Sequence, residues 1–481
     1  MSLKTVGGKR KWSVENPDPT ANPIAHGVAQ IGSELVKLLY PHPDPDLAHV
    51  TKFPERPFMS IFDDMSRVTS FKIYGRLTEE MMDKLVGTPA PSLEKFALYP
   101  NYAQASSLVS QQLPVLFAGQ HPRLTSLTVG CYSLPGDNHF ANLRQFHMWR
   151  QSLSSEALES LRMILEASPH MEDLMFTWVK FQADPLSIAS AISRVQLPDL
   201  RKLSFQEIPL SFVVPMMRWF DVSEQQPLSL TVEAADTGLR TREALWHLQE
   251  LFKLNPYGIP NDFTRLKIEF GVRECSLVLA DATNAVSFRR FSKGDNLILS
   301  QLFGRRMAQL RELWIYSSSP TMKVDRNMDL IRDLLNTASN VQRIYATVTS
   351  ILLWQFWRFL GRSSPALQEL HINLPRVPYT TEDATAAYAL GDLTEALKNR
   401  AAHGLPPLRR LVFYVRDAGA ARPSPLYELH ERLREGILRA GLPHVETVTV
   451  HALSSTDPEA CVKFPKMELP AASSGGKVQD A

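Results

Sequence analysis

Residues Pro122–Leu134 read Pro-Arg-Leu-Thr-Ser-Leu-Thr-Val-Gly-Cys-Tyr-Ser-Leu. Leu124, Leu127 and Val129 fall at the spacing L-x-x-L-x-L, with polar residues in the gaps. Successive side chains of a strand point to opposite faces, so Leu127 and Val129 share one face and Ser126 and Thr128 the other. The stretch reads as a short strand with one buried edge.

The same phrase recurs along the chain. Val68, Phe71 and Ile73 carry it first, then Leu93, Phe96 and Leu98. After Leu124 come Leu143, Phe146 and Met148, then Met171, Leu174 and Phe176, then Leu200, Leu203 and Phe205. The starts at 68, 93, 124, 143, 171 and 200 lie 25, 31, 19, 28 and 29 residues apart. That scatter brackets the leucine-rich-repeat period of roughly 20–29 residues. A less regular middle holds Leu228, Leu230 and Val232, and Leu266, Ile268 and Phe270. Regularity returns at Leu310-Leu313-Ile315, Val341-Ile344-Ala346, Leu367-Leu370-Ile372, Leu408-Leu411-Phe413 and Val445-Val448-Val450.

Helical patterns lie between the phrases, clearest at Ser154–Ala167, where Leu158, Leu161, Ile164 and Leu165 share a face behind a Ser start. Others span Thr78–Val86, Pro185–Val195, Arg240–Phe252, Met328–Leu335, Ile351–Leu360, Leu390–Ala402 and Leu426–Ala440. Ser276–Leu279 and Ala285–Phe291 alternate with no room for a helix between them, which predicts inserted hairpin strands near 260–295. The expected fold class is α/β: an irregular leucine-rich-repeat solenoid, a horseshoe with a parallel concave sheet and outer helices.

The expected organisation follows from the flanks. Residues 1–23, rich in Lys, Pro and Asn, read as a flexible tail. Ile24, Val28, Ile31, Leu35 and Leu38 recur at helical spacing, so 24–60 reads as an N-terminal capping helix and linker. Residues 61–453 form the repeat array, and 454–481, rich in Ser, Pro, Gly and Lys, read as a disordered tail.

Composition narrows the function classes. Lys+Arg 52 against Asp+Glu 50 leaves a net of +2, which is no nucleic-acid footprint. Cys131, Cys275 and Cys461 are too few for a disulfide framework and fit a reducing setting. No secretory h-region opens the chain, and no apolar run reaches the roughly 18 residues of a membrane span. The expected setting is intracellular, cytoplasmic or nuclear, with no membrane and no nucleic acid as partner. Thirteen histidines make no metal-ligand spacing. No G-x-S-x-G elbow, P-loop or G-x-G-x-x-G fingerprint appears. No catalytic set, metal site or cofactor site is expected.

The outward gap positions supply the candidate partner-binding residues. They are Tyr74, Tyr99, His147 and Trp149 early in the chain, and Trp314, Tyr316, Arg343, Tyr345, His371, Arg410 and Tyr414 later. Aromatic and Arg side chains are the types that anchor protein interfaces. The sequence reading places all of them on the concave face, with the histidines as solvated surface.

Leu116–Pro135 (LFAGQHPRLTSLTVGCYSLP), followed by NLRQFHMW, ILEASPHMEDLMF and VQLPDLRKLSF, resembles the leucine-rich region of fungal, mushroom-type F-box proteins over about residues 60–450. That resemblance implies substrate recognition for a cullin-type (SCF) ubiquitin ligase. The F-box itself, the module that docks the ligase adaptor, is not detected in residues 1–60, so the adaptor becomes a partner only if an F-box is supplied. A repeat scaffold unrelated to ubiquitin is the alternative. An enzyme hidden in the irregular middle is a third reading, which the missing motifs oppose.

Overall fold

Seven of the phrases enter their strands through the same turn. The amide of the first apolar residue donates to the carbonyl three residues earlier, at Leu93–Ala90 (3.2 Å), Leu124–His121 (3.1 Å), Met171–Ser168 (3.1 Å) and Leu200–Leu197 (3.2 Å). The pattern repeats at Leu310–Met307, Val341–Ala338 and Leu367–Ser364. Pro91, Pro122, Pro169, Pro198 and Pro365 stand at the second position of five of these turns. Proline presets the φ that this position of a β-turn requires.

The computed structural model describes residues 62, 65–74, 79–99, 112–134, 140–182, 194–222, 228–234, 246–247, 250–251, 263–270, 274–292, 306–317, 334–347, 364–374, 393–415, 444–452 and 467, and the backbone of 2–6, 9–13, 27–31 and 34–38. The chain divides into two compact units, Met1–Leu228 and Ser229–Ala481. Both mix strands and helices, their sheets are mostly parallel, and neither sheet closes into a barrel.

In the first unit, β1 (Ser2–Val6) and β2 (Lys9–Ser13) form an antiparallel pair. Next come β3 (Gly27–Ile31), β4 (Glu34–Leu38), β5 (Val68–Tyr74), β6 (Lys95–Tyr99), β7 (Ser126–Gly130) and β8 (Gln145–Trp149). Then follow β9 (Ser152–Leu153), β10 (Asp173–Thr177), β11 (Lys180–Phe181), β12 (Val195–Leu197), β13 (Lys202–Ile208) and β14 (Phe220–Val222). The main sheet runs β4-β3-β5-β6-β7-β8-β10-β13, parallel from β5 onward. Short parallel pairs β9–β11 and β12–β14 lie beside it in sequence.

Parallel register stacks like positions into rows. Phe71, Phe96, Leu127, Phe146, Leu174 and Leu203 make one buried row, and Ile73, Leu98, Val129, Met148, Phe176 and Phe205 the next. The helices are α1 (Glu79–Gly87), α2 (Ser155–Glu166) and α3 (Leu210–Trp219). Ser154 caps α2, its Oγ accepting from the Ala157 amide at 3.2 Å. Leu158, Leu161, Ile164 and Leu165 are all buried, whereas Arg162 on the outer face pairs with Glu159 and Glu166.

In the second unit, β15 (Ser229–Ala234) pairs parallel with β18 (Ala285–Ser292). Strands β16 (Arg265–Phe270), β17 (Glu274–Ala280) and β18 form an antiparallel meander. From β16 the sheet continues in parallel through β19 (Glu312–Ser317), β20 (Arg343–Thr347), β21 (Glu369–Leu374), β22 (Leu408–Val415) and β23 (Val445–Ala452). Leu266, Leu313, Ile344, Leu370 and Leu411 form its first buried row. Residues 393–402 are helical, with Leu393, Ala396 and Leu397 buried. The helices read at Ile351–Leu360 and Leu426–Ala440, and the tail at 454–481 apart from residue 467, lie outside the described residues.

Two expectations are corrected. Gly27–Ile31 and Glu34–Leu38 form the antiparallel strands β3 and β4 where a capping helix was expected. Ser2–Val6 and Lys9–Ser13 form β1 and β2 where a flexible tail was expected. Pairing of Ile31 with Glu34 leaves Gly32-Ser33 between strands, and pairing of Val6 with Lys9 leaves Gly7-Gly8. Two-residue links rich in glycine suit hairpins and weaken helices, which outweighs the helical spacing of Val28, Ile31 and Leu35. Among the described residues, no helix is long and apolar enough to cross a membrane.

Candidate functional site

The outward face of the second unit is built by register. Arg265, Glu312, Arg343, Glu369 and Arg410 stand opposite one another on successive strands, alternating in sign. The Arg343 guanidinium reaches Glu312 at 2.7 Å and Glu369 at 3.8 Å. Exposed pairs of this kind contribute about 0–1 kcal/mol each. Their larger effect is on register, because a one-residue slip would turn the whole charge row to the other face.

Two residues further along each strand runs an aromatic row. Lys267, Trp314, Tyr345, His371 and Val412 are in register. Neighbouring strands lie about 4.8 Å apart, close enough for in-register rings to stack. Trp314 and Tyr345 stack at 3.7 Å, and Tyr345 and His371 at 4.5 Å. Tyr414, from the following row, sits 6.2 Å from His371 and 5.4 Å from His451. Tyr316 lies 6.5 Å from Trp314 with its ring nearly parallel, beneath the Lys267 ammonium at 4.8 Å.

This stacking corrects the expectation that His371 is solvated. Trp314, His371 and Tyr414 are only 4%, 6% and 5% exposed. Each ring covers its neighbour, so the row forms a floor. Tyr316 and Tyr345 are half-buried, and Arg343 and Arg410 stand exposed at the rim. Burial pushes the Tyr316 and Tyr345 hydroxyls up to about 12. Burial holds the His371 imidazole below its usual pKa, with Glu369, 3.4 Å from Nε2, pulling the other way. Among the described residues the buried Trp314 Nε1–H finds no hydrogen-bond partner, which costs about 1–3 kcal/mol.

The first unit carries a separate cluster. Trp149 lies 6.0 Å from Tyr99 and 6.1 Å from Trp178. Tyr99 and Trp149 sit on strands two apart, and the intervening β7 presents Gly130 beside Trp149. With no side chain there, the rings can approach. The Arg150 guanidinium covers both indoles, at 4.4 Å from Trp178 and 5.2 Å from Trp149. His147 meets Thr177 Oγ1 at 3.0 Å, and Thr177 donates on to Gln206 at 3.3 Å. His147 is half-buried rather than solvated, and that burial lowers its pKa to about 4.

Sequence reasoning gathered eleven residues into one face. Tyr74, Tyr99, His147 and Trp149 fall in the first unit, and the other seven in the second. The Tyr74 side chain lies outside the described residues. Within the second unit all seven share one outward face. Reasoning from residue type missed Glu312 and Glu369, which complete the charge row, and Trp178 and Arg150, which complete the first cluster. Aligning the phrases LRELWI and LQELHI would have found the two glutamates, since each precedes the second leucine. Among the described residues no three His, Cys, Asp or Glu side chains are grouped to hold a metal ion. No protein-family model and no curated protein matches the chain.

Proposed function

We propose that the chain is a non-enzymatic protein-interaction scaffold of the irregular leucine-rich-repeat type, a solenoid acting inside the cell. The observation that carries this reading is the in-register pairing of an aromatic row, Trp314-Tyr345-His371, with an alternating charge row, Glu312-Arg343-Glu369-Arg410. Rigid aromatic surface rimmed by guanidinium groups is the composition of interface anchors. Buried Trp314 and His371 serve as the floor, while Tyr316, Tyr345, Arg343 and Arg410 make the contacts. The recurring X-Pro-x-apolar turn supports the repeat assignment, because it marks one structural unit used many times.

A more specific role, substrate recognition for a cullin-type ubiquitin ligase, rests on the resemblance of residues 60–450 alone. Purification of the tagged full chain from cells co-expressing the ligase adaptor, followed by mass spectrometry, tests both levels. The scaffold reading expects a partner that is captured by the wild type and lost in the Tyr316→Ser/Arg343→Ser variant, with folding retained. Capture that is unchanged in the variant refutes the face. Adaptor among the captured proteins supports the ligase role, and its absence leaves the scaffold unrelated to ubiquitin.

A further inference from the structure

Strand β23 breaks the rule that every other phrase obeys. The apolar triplets from Val68-Phe71-Ile73 to Leu408-Leu411-Phe413 are buried throughout. In β23, Val445 and Val448 are only half-buried, and Glu446 and Thr447 are exposed. Its neighbour β22 has Leu411, Val412, Phe413 and Tyr414 all buried. Strand β23 pairs with β22 on one side, and among the described residues no strand pairs with its other side. Among the described residues, the run of eight, Val445–Ala452, therefore leaves the peptide groups along its outer edge unpaired.

The charge row ends at the same place. Arg343 has a carboxylate on either side, whereas Arg410 faces Thr447 on β23. Arg410 is exposed, with Glu369 opposite it on β21 but no carboxylate opposite it on β23. A strand added beyond β23 would place its own row position about 10 Å from the Arg410 backbone, two strand spacings away. Arg and Glu side chains together span that gap, and the small Thr447 does not obstruct it. The chain's own strands show which sequence fits: Glu312-Leu313-Trp314-Ile315 and Glu369-Leu370-His371-Ile372 each put a glutamate in the charge row and two apolar residues on the buried face.

We propose that the outer edge of β23 is a docking site for an extended segment of a partner protein carrying Glu-apolar-x-apolar, which adds as a parallel strand. Main-chain hydrogen bonds hold the segment, as in other cases of strand addition. Its apolar residues cover Val448 and the buried-face side of β23, and its glutamate pairs with Arg410. Selectivity comes from that pair, since an edge alone accepts any extended chain. The site shares Arg410 with the rim of the aromatic face but does not use Tyr316, Tyr345 or Arg343.

The probe is a fluorescein-labelled, end-blocked peptide of residues 366–374, Ala-Leu-Gln-Glu-Leu-His-Ile-Asn-Leu. Titration with the full chain, followed by anisotropy, should show saturable binding. Arg410→Glu should weaken it by about tenfold or more, and a peptide with Lys in place of its Glu should recover binding to that variant. Val448→Lys, which puts a charge on the edge strand, should abolish binding. The proposal is overturned by absence of binding at about 1 mM, by equal affinity for wild type and Arg410→Glu, or by failure of the charge swap. Self-association of the chain through β23, lost on Val448→Lys and unaccompanied by peptide binding, also overturns it. Peptide binding that persists in Tyr316→Ser/Arg343→Ser separates this edge from the face described above.

Discussion

The Trp314 indole lies on the Tyr345 ring with 3.7 Å between centroids and 8° between planes. The two residues are direct neighbours in the register of β19 and β20, so strand pairing and ring stacking are one event. Trp314→Ala should cost about 3–5 kcal/mol, as large aromatic truncations do. A double-mutant cycle with Tyr345→Ala should return a coupling of about 0.5–1.5 kcal/mol beyond the loss of buried area. Urea melts of the four proteins measure it, and strictly additive costs would mean that the contact is incidental.

His147 makes stability depend on pH in a definite direction. Its pKa is lowered from 6.5 to about 4 by burial. A base with a folded pKa below its unfolded value contributes stability that is complete above the unfolded pKa and is lost as pH falls through the folded one. The window is thus pH 6.5 down to 4, and the loss amounts to about 3 kcal/mol. His147→Gln, which keeps a polar group near Thr177, should be less sensitive to acid than the wild type across that window. Parallel curves for the two proteins would show that this imidazole does not titrate on unfolding.

Arg400 is a buried clamp. Its guanidinium donates to the carbonyl oxygens of Pro406 at 2.9 Å, Ser364 at 3.2 Å and Leu367 at 3.2 Å. Burial lowers its pKa to about 10. The residue ties the helix over 393–402 to the turn that opens β21. Arg400→Ala should cost about 3–5 kcal/mol. Arg400→Lys should recover little of this, because one ammonium cannot span three separated carbonyls. Full stability of the Lys variant in thermal melts would assign the clamp to charge alone.

Cys131 is held in a left-handed conformation, with φ of 62°, just past the end of β7. Arg150, Trp178 and Glu207 take the same sign of φ after or near the ends of β8, β10 and β13. The chain therefore leaves these strands by a repeated kink that the residue types do not favour. Burial raises the Cys131 thiol to about 11, so alkylation at pH 8 should be slow in the native protein and fast in urea. Peptide mapping distinguishes this cysteine from Cys275 and Cys461. Equal labelling in both conditions would contradict its burial.

Strand positions were legible because period-2 burial writes itself directly into residue type. Leu127 and Leu203 are fully enclosed, and their truncation to Ala should cost about 2–5 kcal/mol each. Helix α2 was legible for the same reason, with its Ser154 cap and four buried positions. Helix α3 was hidden, since Val213, Val214 and Pro215 oppose a helical reading and only packing of its apolar surface overrides them. The candidate residues were legible as types and as outward positions. Their burial was not, because it depends on which ring stands opposite which, and that is a property of register between repeats. The charge row was invisible for the same reason: Glu312 and Glu369 gain meaning only beside Arg343.

The most direct test of the interaction face places a photo-crosslinking benzoylphenylalanine at one of two sites in the second unit. Tyr316 lies on the outward sheet face, and Lys398 is an exposed residue of the helix over 393–402. Irradiation of the full chain in cells, followed by mass spectrometry, reads which position touches a partner. Crosslinks to the same partner from position 316 and none from 398 are the predicted result. Crosslinks from 398 with none from 316 would contradict the account.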